Sequence, residues 1–177
     1  MGGVAGMRGK QTVRDMVLSM AAIGVVVAGV YTLVPHDDSA DPVKPVDYRV
    51  ELITARRAAP YPVAAPVGLP ETWKATSVTY DRQDGNSWHL GFLDPEREYV
   101  AVEQSNGPAE KFVHKVSQQA TKTSRTVRVG GETWQRWEGP KYDALVREEK
   151  GATTVITGTA PQKRLAEMAA ALKAEKS

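Results

Sequence analysis

The sequence predicts an α+β protein: an N-terminal transmembrane helix followed by an antiparallel β-sheet covered on one face by two helices. Three observations predict it. Residues 16–34, MVLSMAAIGVVVAGVYTLV, hold no charged side chain. From residue 71 onward, segments of alternating apolar and polar residues recur, separated by Gly, Pro, Asp and Asn. Two later stretches, one after Pro108 and one after Thr159, repeat their apolar residues at helical spacing instead.

A run of about 19 residues is what a helix needs to cross a ~30 Å hydrocarbon core. In lipid the backbone must satisfy its own hydrogen bonds, so the β-branched content that would count against a helix in water is overridden. The span is carried by Met16, Val17, Leu18, Ile23, Val25, Val26, Val27, Val30, Leu33 and Val34. Arg8, Lys10 and Arg14 precede it, and His36, Asp37, Asp38 and Asp41 follow. Positive residues favour the cytoplasmic side, which puts a tail (residues 1–15) inside and the larger part of the chain outside. A cleaved secretory signal is the rival reading, but its apolar stretch is only about 7–15 residues long. Here Asp38 also stands beside Ser39 and Ala40, where small residues are wanted. A retained anchor is therefore expected. Gly24 and Gly29 are not spaced as a helix-dimer motif.

Residues 35–47 are acidic and contain Pro42 and Pro45, the composition of a short extended tether. Residues 48–177 then form the extracytoplasmic domain, long enough to bury a core without staples. Val46, Tyr48, Val50 and Leu52 alternate with Asp47, Arg49 and Glu51, which reads as a first strand. Residues 58–70, AAPYPVAAPVGLP, favour polyproline-II. A stiff surface crossover packing Tyr61, Val63 and Val67 explains them more simply than a docking ligand for an aromatic groove.

An antiparallel meander follows. Residues 73–80 lead through Asp84-Gly85-Asn86 into 87–93, with Trp88, Leu90 and Phe92 on one face. Asp94-Pro95-Glu96 turns the chain into 99–104, where Tyr99, Ala101 and Glu103 oppose Val100 and Val102. The helix near Pro108 has Phe112, Val113, Val116 and Ala120 as its stripe and Lys111, His114, Lys115 and Gln118 toward water. Residues 126–129 and 132–137 flank Gly130-Gly131 as a two-residue hairpin, setting Val127 opposite Trp134 and Trp137 on the other face. A further hairpin joins 142–148 to 153–157 around Lys150-Gly151, burying Leu145, Val155 and Ile156. The closing helix is capped by Thr159 and lays Leu165, Met168, Ala169 and Leu172 on the sheet.

Composition excludes several functions. The net charge of +2 comes from mixed signs spread along the chain, without the basic face that nucleic-acid binding needs. The absence of cysteine removes disulfides, thiolate metal sites, a cysteine nucleophile and a lipid-modified cysteine. His36, His89 and His114 share no ligand spacing. Asp94, Glu96 and Glu98 are explained by an exposed acidic turn as well as by acid–base chemistry. There is no GxSxG elbow, SxxK pair or phosphate loop. No catalytic residue, metal ligand or cofactor is assigned, and the chain is read as a non-enzyme. Trp73, Trp88 and Trp134 are expected in the core. Arg136, Trp137 and Tyr142 form the candidate contact surface, since aromatic–arginine patches serve as interface anchors.

Trp88-His89-Leu90-Gly91-Phe92-Leu93-Asp94-Pro95, running into Tyr99-Val100-Ala101-Val102-Glu103-Gln104-Ser105, resembles the middle block of an actinobacterial family. Gly130-Gly131-Glu132-Thr133-Trp134 and Thr157-Gly158-Thr159-Ala160 resemble it as well. That family is known only as domain of unknown function 4245. The resemblance implies a single-pass envelope protein with no assigned activity, so it supplies no functional residues. The expected role is a non-catalytic interaction or sensing module, held at the cytoplasmic membrane and working with another envelope protein. The alternative is a carrier of a lipid or other apolar ligand between sheet and helices, for which a continuous apolar cavity would speak. An enzyme would require His89 or the Asp94 turn to converge with other polar groups.

Overall fold

The computed structural model describes residues 8–33 and 43–176. Two compact units divide the chain, residues 1–42 and residues 43–177. The first contains helix α1, Arg8–Leu33. Its stretch Val13–Val30 is long and apolar enough to cross a membrane, and none of it is buried. Met16, Val17, Leu18, Ile23, Val25, Val26, Val27 and Val30 are all exposed. Leu33 is the last helical residue. Val34 and residues 35–42 of the expected tether lie outside the described residues.

In the second unit a seven-stranded antiparallel sheet has the order β2-β3-β4-β8-β7-β6-β5. Its members are β2 (Lys74–Asp81), β3 (Ser87–Leu93), β4 (Tyr99–Ser105), β5 (Thr121–Val129), β6 (Glu132–Glu138), β7 (Asp143–Glu149) and β8 (Ala152–Gly158). Around it lie α2 (Arg49–Ala58), α3 (Ala109–Val116), α4 (Gln162–Ala171), and a two-stranded sheet of β1 (Val63–Pro66) with β9 (Leu172–Glu175). The meander and the hairpin follow the sequence pattern closely. Val127 pairs with Trp134, and Gly130 and Gly131 supply the positive φ angles that a two-residue turn requires.

Thr159 does not cap the closing helix, whose N-cap is Pro161 without a side-chain bond; its Oγ1 accepts from Tyr99 N at 3.0 Å instead. Three larger expectations change. The first strand is a helix: Tyr48, Leu52, Ala55 and Ala59 follow helical spacing, and all four pack on the core. Val50, on the apolar face of the strand reading, is 69% exposed. Glu51 in the first turn and Arg56 and Arg57 in the last complement the helix dipole. The proline-rich stretch is no surface crossover either. Val63, Ala64 and Ala65 are buried, whereas Val67 is exposed. Small side chains let this strand lie against the sheet, where Gln104 and Trp88 satisfy its backbone. Gln104 Oε1 accepts from Ala64 N at 2.6 Å, and Trp88 Nε1 donates to Ala64 O at 3.0 Å.

The third change concerns the helices. The α+β class and the antiparallel sheet stand, but α3 and α4 cover opposite faces. Trp88, Leu90, Val100, Val102, Leu145 and Ile156 meet Leu165 and Met168 of α4 in one cluster. Ala144, Val146, Val155 and Trp137 meet Phe112 and Val113 of α3 in another. The cause is legible in β7 and β8, where neighbours such as Leu145-Val146 and Val155-Ile156 are both apolar. A strand greasy on both faces needs cover on both.

Candidate functional site

The expected contact surface does not assemble. Trp137 is only 5% exposed and packs beneath α3, its ring 5.5 Å from that of His114 and edge-on to it. Arg136, the adjacent residue in β6, points to the other side of the strand because side chains alternate. It pairs with Glu138 at 3.1 Å and Asp143 at 3.8 Å. Tyr142 stacks obliquely on Tyr99 at 5.9 Å. Trp73, Trp88 and Trp134 are buried as expected.

The acidic turn is exposed at Glu96 and Glu98, as expected, but not at Asp94. Asp94 is 2% exposed, and its Oδ1 accepts the backbone N–H groups of Glu96 (2.9 Å) and Glu98 (2.8 Å). Arg164 of α4 reaches Asp94 at 3.6 Å, Glu96 at 2.5 Å and Glu167 at 2.7 Å. The hydrogen bond from Arg164 holds the Glu96 carboxyl below the usual range. These carboxylates dock a helix onto a turn.

A different polar cluster does converge. It lies on the α3-side face of β2, β3 and β4, where His89 pairs across strands with Glu103. A bulge in β2 between Ala75 and Ser77 shifts the register, placing Ser77 opposite Gly91 and diagonal to His89. Ser77 Oγ is 2.7 Å from His89 Nε2, and His89 Nδ1 is 2.6 Å from Glu103 Oε1. Tyr99 lies beside the group, its ring edge and hydroxyl bordering the same space over Gly91 as Ser77 Oγ. Gly91 makes the approach possible: a Cβ there would overlap Ser77 Oγ and lie 3.1 Å from the Tyr99 hydroxyl. The Glu103 side chain is 11% exposed and that of His89 27%, and Ser77 is half-buried.

Burial pulls the His89 pKa down, but its bond and attraction to Glu103 outweigh this and hold it above its ordinary value. Burial also raises Glu103, against the opposing pull of His89. Tyr99 is pushed up to about 12, chiefly by burial, and so keeps its proton. Both shifts in the His89–Glu103 pair mean that the folded state binds protons more tightly than the unfolded chain. The stability due to His89 is therefore complete below its unfolded pKa of about 6.5 and is lost as pH rises through the higher folded value. Urea midpoints measured from pH 5 to 9 should fall across that interval for the wild type. In His89→Gln the fall should flatten, and an unchanged slope would refute this assignment.

The sequence pattern places His89 and Glu103 on neighbouring strands and gives Ser77 no distinguishing mark. One signal was available. A turn at residues 94–98 sets residue 89 against residue 103, so the pair follows from hairpin register. Ser77 depends on the bulge, which no local pattern announces. Among the described residues, no group of three or more His, Asp or Glu side chains is placed to hold a metal ion.

Two open grooves flank the domain. One, of about 570 Å³, is lined by residues that include Tyr48, Leu69, Trp73 and Phe92. The other, of about 550 Å³, runs beside Val113, His114, Lys122 and Trp137. The layer between sheet and α4, where a carried apolar ligand would need room, is occupied by Trp88, Leu145, Ile156, Leu165 and Met168, all fully buried.

An exposed apolar helix joined to a two-faced antiparallel α+β domain defines a class of small domain with a candidate membrane helix. Within that class the chain belongs to the family described as protein of unknown function, domain of unknown function 4245, whose family model matches residues 8–172. The match runs from the start of α1 to the start of β9. Comparison with curated proteins finds no match.

Proposed function

We propose that this protein is a single-pass, membrane-anchored module of the bacterial cell envelope. Its N-terminus is cytoplasmic, its domain is extracytoplasmic, and it interacts with or senses another envelope component without turning over a substrate. The observation that carries the reading is α1, whose apolar side chains have no protein cover from Val13 to Val30. Large apolar side chains left in water are costly, and lipid removes that cost. Arg8, Lys10 and Arg14 support the orientation through the positive-inside bias. The filled layer beneath α4 favours contact at the surface over carriage of an apolar ligand within.

The test is topology and retention together. An alkaline phosphatase fused after residue 177 is expected to be active, and the protein should stay with membranes through carbonate extraction. Its intact mass should retain residues 16–34. A cytosolic reporter, or mature protein released without those residues, would overturn the reading. Crosslinking in intact cells is expected to recover one reproducible envelope partner, and a lone monomer under every condition would refute the contact role.

A further inference from the structure

We propose that Ser77 is an acyl-accepting nucleophile, activated by His89 and positioned through Glu103, that takes the acyl group of an exposed carboxylic ester. Geometry carries this. A serine, an imidazole and a carboxylate stand in series at 2.7 Å and 2.6 Å, through opposite nitrogens of the ring. That is the arrangement by which a nucleophile–base–orienter set is recognised on any fold. With the Nδ1 proton held on Glu103, Nε2 is left to accept the Ser77 proton. Burial suits the roles: the carboxylate is innermost, while His89 and Ser77 are half-buried. The Tyr99 hydroxyl keeps its proton and borders the same space over Gly91 as Ser77 Oγ, which makes it the donor available where negative charge would develop on the substrate. Gly91 leaves the space in which Ser77 and Tyr99 meet. Ser77 is half-buried on β2, an edge strand of the sheet, and an ester presented on a larger molecule is the substrate such a position suits.

In the step itself, Ser77 Oγ attacks the ester carbonyl carbon while its proton passes to His89 Nε2. As the tetrahedral intermediate collapses, the bond to the leaving oxygen breaks, and the departing alcohol takes the proton from Nε2. The products are an acylated Ser77 and a free alcohol, with no oxidant or metal required. His89 touches the reacting atoms, whereas Glu103 is a positioning residue. One such transfer is a stoichiometric event, compatible with a module that turns nothing over. It does not depend on the anchoring or partner reading, and neither result bears on the other.

The experiment uses the full chain in detergent, an alkyl fluorophosphonate probe and p-nitrophenyl acetate, with intact mass and peptide mapping as readouts. A single adduct at Ser77 is expected, absent from Ser77→Ala. His89→Gln should slow its formation by on the order of 10²-fold or more. The wild-type rate should rise with pH as His89 loses its proton, and Glu103→Gln should move that profile to lower pH. A merely structural role would leave the profile where it is. Thermal melts of each variant establish that it is folded. Folded wild-type protein that takes no adduct at Ser77 between pH 6 and 9 overturns the proposal. So does a Ser77 adduct that forms equally fast in folded His89→Gln.

Discussion

Gly158→Ala should destabilise the domain by about 4 kcal/mol or more, a loss that few single substitutions reach. Gly158 closes β8 at the middle of the sheet, paired with Val100 of β4 on one side and Asp143 of β7 on the other. A Cβ there would overlap the Tyr99 carbonyl oxygen, lie 2.7 Å from its carbon and 3.0 Å from Val100 Cα. These are backbone atoms and cannot rotate aside as a side chain would. Relief would require parting β4 from β8, and with it the bonds by which Thr159 and Ala160 N–H reach Tyr99 O at 3.0 and 3.3 Å. Typical overpacking costs 1–3 kcal/mol where side chains can shift, and here they are not what must move. Urea unfolding of the full chain in micelles, followed by tryptophan fluorescence, checks this. All four tryptophans lie in the domain. A midpoint within error of the wild type would show that β4 and β8 can separate cheaply.

Trp88→Ala is expected to cost about 3–5 kcal/mol through the cavity it leaves, and somewhat more because Ala64 loses a partner. Trp88 is fully buried, and its Nε1 donates to Ala64 O at the point where β1 meets the sheet. A buried carbonyl without a donor costs about 1–3 kcal/mol. Trp88→Phe isolates that contribution, since it keeps most of the ring volume. Trp137 provides the comparison, being similarly buried with an Nε1 that has no hydrogen-bond partner. Trp88→Phe should therefore be the more damaging of the two Phe substitutions. Equal losses would mean that the bond to Ala64 contributes nothing and that packing alone holds β1 in place.

Where the chain speaks locally, the sequence was legible. β3 has Trp88, Leu90 and Phe92 at alternate positions, and β6 returns from β5 through two glycines, so pairing and register follow from neighbours a few residues apart. Errors arose where two periods fit the same letters. Val46, Tyr48, Val50 and Leu52 satisfy a strand, yet Tyr48, Leu52, Ala55 and Ala59 satisfy a helix, and only burial chooses between them. Prolines around Val63 hid a buried strand, because its backbone partners, Gln104 and Trp88, are distant in sequence. The candidate site was half readable. Hairpin register joins His89 to Glu103, whereas Ser77 enters through a bulge. Trp137 misled because a tryptophan beside an arginine reads as a surface pair until a helix is placed over it.

By itself the sequence determined the uncharged apolar span, the meander, the glycine hairpin and the amphipathic closing helix. Each of these rests on periodicity or turn chemistry within a dozen residues. Only the tertiary structure decided that α3 and α4 take opposite faces, that β1 is buried beside β9, and that Ser77, His89 and Glu103 meet. Those outcomes depend on which face of a strand is covered, and by what. That is a contest among distant segments for the same apolar surface, and no local pattern records its winner.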